Sequence, residues 1–144
     1  MTTRRATCAC GQLSVICAGE PMKISLCHCV DCQKRTGSAF GVAAFYKAAD
    51  VEAQGATRTY ERPADGGQAV TFRFCPTCGS TVLWEPHGKP GIIGVAVGAF
   101  ADPTFPAPGQ EVHTEDRYAW VNGLLSFGGC KIGLLRPATK PGVG

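Results

Sequence analysis

Cys27-His28-Cys29-Val30-Asp31-Cys32 packs three cysteines into six consecutive residues, and the reading of that stretch decides how the chain folds. Upstream lies Cys8-Ala9-Cys10, and downstream lies Cys75-Pro76-Thr77-Cys78, so seven of the nine cysteines fall into three tight clusters. Buried cysteines can act as small hydrophobes, but packing alone gives no reason for this spacing. Metal ligation does. Zinc closes a structural site with four ligands, whereas a catalytic site keeps three protein ligands and an open position. Two pairs and one triple therefore divide most simply into one closed site and one open site.

The spacings fit that division. In an extended strand, residues two apart face the same side, so Cys8 and Cys10 can offer both sulfurs to one point, as can Cys27 and Cys29. Pro76 presets a tight turn between Cys75 and Cys78, and Gly79 relieves crowding where the chain leaves it. Joining Cys8 and Cys10 to Cys75 and Cys78 through a structural zinc would contribute on the order of 10 kcal/mol to folding. In the triple, the turn at Val30 and Asp31 returns Cys32 to the same ion, which leaves a shallow cap with its far side open. Strand alternation points His28 away from that ion, toward a supporting or sheet-face position. His28 and Asp31 stay as alternative fourth ligands, and an external water or thiol is the favoured one.

The 144 residues suit one domain, expected over 1–136, with a flexible tail at 137–144. With 19 Gly and 10 Pro and few long helix-forming runs, the chain reads as mainly β and turn-rich. Charged residues at 17% exclude a disordered chain. The formal charge of +3 is scattered, with no basic run and no interleaved aromatics, which argues against nucleic-acid binding. Seven thiolates and two Zn²⁺ would carry about −3 and offset it. Residues 1–6 are polar and lack an apolar signal-peptide core, and no apolar run reaches membrane-spanning length. An odd cysteine count in such a chain predicts a cytoplasmic metalloprotein without membrane contact, not a disulfide scaffold.

Periodicity predicts strands at 12–18, 23–29, 40–47, 51–54, 58–61, 69–74, 81–85, 92–97 and 111–114. Leu13, Val15 and Cys17 share one apolar face of the first of these. One helical turn is expected over 30–35, ended by Gly37. The segment 101–109, with three prolines, reads as a loop, and Tyr118-Ala119-Trp120 as an aromatic plug into the core. Cys17 is expected in the core, Cys130 has no nearby partner in sequence, and His87 and His113 read as structural. Gln33, Lys34, Thr36 and Ser38 follow the triple; they could contact a substrate's carboxylates or carbonyls, or cap the short helix.

Taken together, Cys8-Ala-Cys-Gly11, Cys27-His-Cys-Val-Asp-Cys-Gln-Lys-Arg-Thr-Gly-Ser-Ala-Phe40 and Phe74-Cys-Pro-Thr-Cys-Gly-Ser80 resemble the glutathione-dependent formaldehyde-activating enzyme family, to which vertebrate centromere protein V is related. The resemblance runs from about residue 6 to at least Trp120. It implies a β-tent-like fold of small antiparallel sheets organised around zinc. It also implies a structural Zn²⁺ on Cys8, Cys10, Cys75 and Cys78 and a catalytic Zn²⁺ on Cys27, Cys29 and Cys32. The implied reaction is a carbon–sulfur lyase chemistry, the reversible addition of glutathione to formaldehyde giving S-hydroxymethylglutathione. A small-molecule thiol such as glutathione and an aldehyde would then be the partners. A zinc-stabilised binding module without catalytic activity is the alternative, since a fold does not fix a function.

Overall fold

The computed structural model describes residues 2–64 and 66–123. In chain order the strands are β1 (Thr3–Thr7), β2 (Ser14–Ala18), β3 (Lys23–Cys27), β4 (Gly41–Lys47), β5 (Val51–Gln54), β6 (Arg58–Pro63), β7 (Ala69–Phe74), β8 (Thr81–Pro86), β9 (Ile92–Ala96) and β10 (Gln110–Val112), with one α-helix, α1 (Val30–Thr36), between β3 and β4. The chain is mainly β, as its composition predicts, and its strands form one three-stranded and one seven-stranded sheet. The expected domain limit at 136, the tail at 137–144 and Cys130 lie outside the described residues.

The residues group into two compact units. The first comprises Met1–Lys23 and Ala44–Phe105. In it, β1, β2 and β5 form the antiparallel three-stranded sheet, with Ala6 opposite Val15 and Cys17 opposite Val51. Leu13, Val15 and Cys17 are fully buried, the face that alternation predicts. β1 itself has no such signature, because Thr-Arg-Arg-Ala-Thr is polar and only Ala6 is fully buried. The first of its two arginines is held by partners remote in sequence. Arg4 pairs with Glu20 at 3.1 Å and Asp102 at 3.5 Å, and lies over the Phe105 ring at 4.8 Å.

Strands β6 to β9 complete this unit in the order β9-β8-β7-β6. Tyr60, Phe72, Trp84 and Gly94 stand opposite one another across the four strands. The Trp84 indole covers Gly94 so closely that a Cβ there would sit 2.3 Å from its Nε1. Register shifts at Arg73/Phe74, immediately before Cys75. Such an irregularity bends the strand and re-aims the residues beyond it, here the cysteine turn.

Of the described residues, the second unit takes in Ile24–Ala43 and 106–123. Here β10 runs parallel to β3, with Glu111 beside Leu26 and Val112 beside Cys27. The strand expected to reach Cys29 stops at Cys27, because Cys29 becomes the N-cap of α1. The helix ends at Gly37, whose φ of 66° satisfies the left-handed cap that the sequence predicts. The expected aromatic plug is corrected: Tyr118 is 44% and Trp120 60% exposed, and the two rings pack edge to face on each other at 5.9 Å. Residues 119–123 form a 3₁₀ turn in which Val121 takes the buried position. His113, expected in a strand, lies past the end of β10 with a φ of 55°.

Candidate metal centres

The first cluster brings together Cys8, Cys10, Cys75 and Cys78, all within the first unit, with the four sulfurs within 4.8 Å of one another. The Cys8–Cys10 and Cys10–Cys75 sulfurs are 3.6 and 3.7 Å apart. A tetrahedral set with metal–sulfur bonds near 2.3 Å places its sulfurs about 3.8 Å apart. The geometry therefore fits a single four-coordinate ion. Cys8 and Cys75 are buried, while Cys10 and Cys78 face solvent.

Two tight turns aim these sulfurs. Cys8 N–H donates to Leu13 O at 2.9 Å and Gly11 N–H to Cys8 O at 3.1 Å, which folds the first pair back on itself. Cys75 N–H donates to Ser80 O at 3.0 Å and Gly79 N–H to Cys75 O at 2.8 Å, closing the second. Leu13 N–H points at Cys8 Sγ (3.3 Å), while Thr77 and Cys78 N–H point at Cys75 Sγ (3.4 and 3.5 Å). Gln12 joins the pairs: its Nε2 donates to Cys75 Sγ at 3.1 Å and Ala56 O at 2.7 Å, and its Oε1 accepts from Ala56 N–H at 3.0 Å. Donors around sulfur favour the thiolate. The Ser80 hydroxyl, foremost, draws the Cys78 thiol down to about 5. Burial works against Cys75, yet the Cys78 and Thr77 N–H groups and Gln12 hold it below its ordinary value.

The second cluster brings together Cys27, Cys29 and Cys32, all half-buried and within the second unit, again with sulfurs within 4.8 Å of one another. Each comes from a different local structure: Cys27 from the end of β3, Cys29 from the helix cap, and Cys32 from the first turn of α1. Cys29 Sγ accepts from Cys32 N–H at 3.3 Å. The three thiols are unequal. Hydrogen bonds from Cys27 and then Cys29 lower Cys32 to about 2, with Arg35 adding to the effect. Hydrogen bonding to Cys29 and then to Cys32 pushes Cys27 far up. Among the described residues, no His, Asp or Glu atom joins these three sulfurs, so neither His28 nor Asp31 completes the set.

His28 instead turns into the protein. Its ring is fully buried, and Nε2 lies 2.8 Å from Glu111 Oε1. Arg117 Nη2 approaches the other Glu111 oxygen at 3.7 Å. The His28 backbone is fixed at both ends, its N–H donating to Val112 O at 3.1 Å and its carbonyl accepting from Gln33 Nε2 at 2.7 Å. Gln33 also donates to Asp116 O at 3.2 Å, and Thr36 Oγ1 donates to Cys32 O at 2.8 Å and receives Ser38 N–H at 3.1 Å. Gln33 and Thr36 therefore brace the helix and its neighbours, and Lys34 is exposed. His87 bonds the Thr71 hydroxyl at 2.8 Å, and His113 pairs with Glu115 at 3.3 Å. Cys17 is buried in the core as expected, and burial pushes its thiol up to about 11.

The family model for glutathione-dependent formaldehyde-activating enzymes matches residues 3–116, a span that takes in all three cysteine clusters. The chain belongs to the glutathione-dependent formaldehyde-activating enzyme family. No curated protein sequence matches it. The crystal structure of a Rhodobacter sphaeroides protein aligns with a TM-score of 0.57 at 21% identity, covering 75% of this chain and 99% of that one. At that identity the likeness is one of fold. Both cysteine clusters of this family member can hold a metal ion. Among the described residues, no helix is long and apolar enough to cross a membrane.

Gln12, Arg35, Glu111 and Arg117 all serve the clusters or their supports and were given no role from the sequence, and Ser80 entered only as the last residue of the third motif. Gln12 lies two residues past Cys10, and that proximity was the available signal. Glu111 stands 83 residues from His28, and nothing in its local sequence announces the pairing.

Proposed function

We propose that this chain is a zinc-dependent enzyme of the carbon–sulfur lyase type, acting on small thiol–aldehyde adducts in the cytoplasm. The reaction is the reversible addition of glutathione to formaldehyde, giving S-hydroxymethylglutathione: a sulfur–carbon bond forms as the thiol proton passes to the carbonyl oxygen. The observation that carries this reading is the contrast between the two clusters of one family member. One offers four sulfurs and the other three, with no fourth His, Asp or Glu ligand among the described residues.

Cys8, Cys10, Cys75 and Cys78 would hold the structural zinc, and Cys27, Cys29 and Cys32 the catalytic one. When bound at the three-sulfur set, zinc supplies an exchangeable position at which a thiol loses its proton at neutral pH. The chain's own part is to hold the three sulfurs on one side of that position. The β3 end, the α1 cap and the helix's first turn deliver them from separate backbone directions. The His28 backbone clamps and the buried Glu111 contact keep the segment between Cys27 and Cys29 from turning outward.

Two-dimensional exchange NMR on mixtures of glutathione and formaldehyde tests the activity directly. Zinc-loaded protein should speed exchange between free thiol and adduct, and Cys29→Ser should abolish the gain while the protein stays folded. Exchange no faster than in buffer, with both metals bound, would reject the proposed reaction.

A further inference from the structure

Arg35 is the cation placed next to the three-sulfur set. A helical side chain leans toward the N-terminus of its helix and lies over the preceding turn. At three residues beyond Cys32, Arg35 therefore reaches back across the turn that carries that sulfur, and its charge bears on the Cys32 thiol. Lys34, one residue earlier in the same helix, is exposed. The space that the guanidinium occupies is bounded by Gly41, at the start of β4. A Cβ on Gly41 would come within 2.8 Å of Arg35 Nη2, 3.4 Å of Thr36 Cγ2 and 3.5 Å of Cys32 Cβ. Gly41 is not among the glycines with a positive φ. Room, not backbone conformation, is what a side chain would violate there.

We infer that Arg35 tunes the proposed catalytic metal set: its guanidinium, seated in the gap left by Gly41 beside Cys32, offsets the charge of the three thiolates. The inference rests on the reading of Cys27, Cys29 and Cys32 as zinc ligands. Three thiolates on one Zn²⁺ carry a net negative charge, which makes each sulfur more nucleophilic and disfavours a further anionic ligand. A cation held beside one of three thiolates draws electron density from it, as outer partners of metal ligands do generally. Cys32 is thereby the protected sulfur of the three, and the charge left for an incoming thiolate is closer to neutral. Arg35 acts through Cys32 and is a positioning residue, not one that touches the reacting atoms.

Alkylation of the zinc-loaded full chain by iodoacetamide, followed cysteine by cysteine through peptide mapping, reads this effect without reference to activity. Arg35→Met removes the guanidinium. Gly41→Ala keeps it but displaces it, at little cost to the fold, because the atom met first is the end of a flexible side chain. Both should raise the alkylation rate of Cys32 severalfold relative to Cys27 and Cys29, and Lys34→Met should leave it unchanged. Unaltered Cys32 alkylation in both variants, with two zincs still bound per chain, overturns the inference alone. An equal rise for Lys34→Met overturns it too, since any helix cation would then serve. So does an equal rise at all three cysteines, which signals lost metal. A single zinc per chain in the parent protein overturns both this inference and the function on which it rests.

Discussion

His28 Nε2 meets Glu111 Oε1 at 2.8 Å with both side chains almost wholly out of water, at 0% and 2% exposure. Arg117, also buried, approaches the carboxylate's other oxygen at 3.7 Å. A carboxylate in that position is tolerated because it is shared between two partners. Deleting it removes the carboxylate that the buried Arg117 guanidinium and the His28 ring both face. Glu111→Ala is therefore expected to cost about 3 kcal/mol or more of folding stability. Glu111→Gln, which can still accept from either partner, should cost less than Glu111→Ala. Urea unfolding of the metal-loaded variants checks the order, and equal losses for Ala and Gln would show that hydrogen bonding by the side chain at this position recovers nothing.

The two clusters should separate on metal removal. The four-sulfur set brings together the turn after β1 and the turn after β7, so an ion held there would be part of the first unit's fold. Cys75→Ser should prevent stable folding, consistent with a metal contribution on the order of 10 kcal/mol. Cys32→Ser should leave a folded chain that has lost one zinc and the thiol–aldehyde activity. In the parent protein, graded chelation followed by metal analysis and circular dichroism should release one zinc first with no loss of strand signal. Concerted release of both would contradict the division into a four-sulfur structural centre and a three-sulfur open one.

Why the metal sets were legible in the sequence and their surroundings were not is a matter of range. A cysteine pair two or three residues apart declares its geometry locally, since strand alternation and a Pro-containing turn fix where both sulfurs point. The alternation of Leu13, Val15 and Cys17 and the Gly37 helix stop are equally local, and both match the structure. β1 left no such trace, because Arg4 is half-buried by Glu20, Asp102 and Phe105, partners whose distance along the chain no periodicity encodes. His28 was readable as a residue turned from the metal, but Glu111 and Arg117 were not. Tyr118 and Trp120 misled for the opposite reason: aromatic bulk suggests a core, whereas the 3₁₀ turn buries Val121 in their place.

Gly55 offers a test of how the first cluster is supported. Its φ of 108° is one that L side chains rarely adopt, and a Cβ there would lie 2.1 Å from Gln12 O and 3.0 Å from Leu13 Cα. The atoms met are backbone and cannot rotate aside. Gln12 in turn links Ala56 to the Cys75 sulfur. Gly55→Ala should therefore destabilise the protein by about 2 kcal/mol and also weaken metal retention at the four-sulfur set more than at the three-sulfur set. Thermal unfolding and competitive chelation measure the two effects, and a stability change without any shift in metal retention would remove Gln12's proposed share in holding Cys75.

Cys17 sets an expectation for alkaline pH that does not involve either metal. Burial raises its thiol from 9.0 to about 11, so the folded state holds the proton over a range in which the unfolded chain releases it. The unfolded state then binds fewer protons, and stability falls as pH rises. This contribution is fully present below pH 9 and is lost progressively between 9 and 11. Replacing the thiol with an apolar group of similar size, as in Cys17→Val, should flatten that part of the stability curve while leaving the neutral region nearly level. Tyr46, raised by burial to about 12, titrates higher, so Tyr46→Phe should retain the slope that begins at pH 9. Denaturant titrations of the three proteins from pH 8 to 10.5 decide the matter, and an unchanged slope in Cys17→Val would mean that the thiol in the core is not the group responsible.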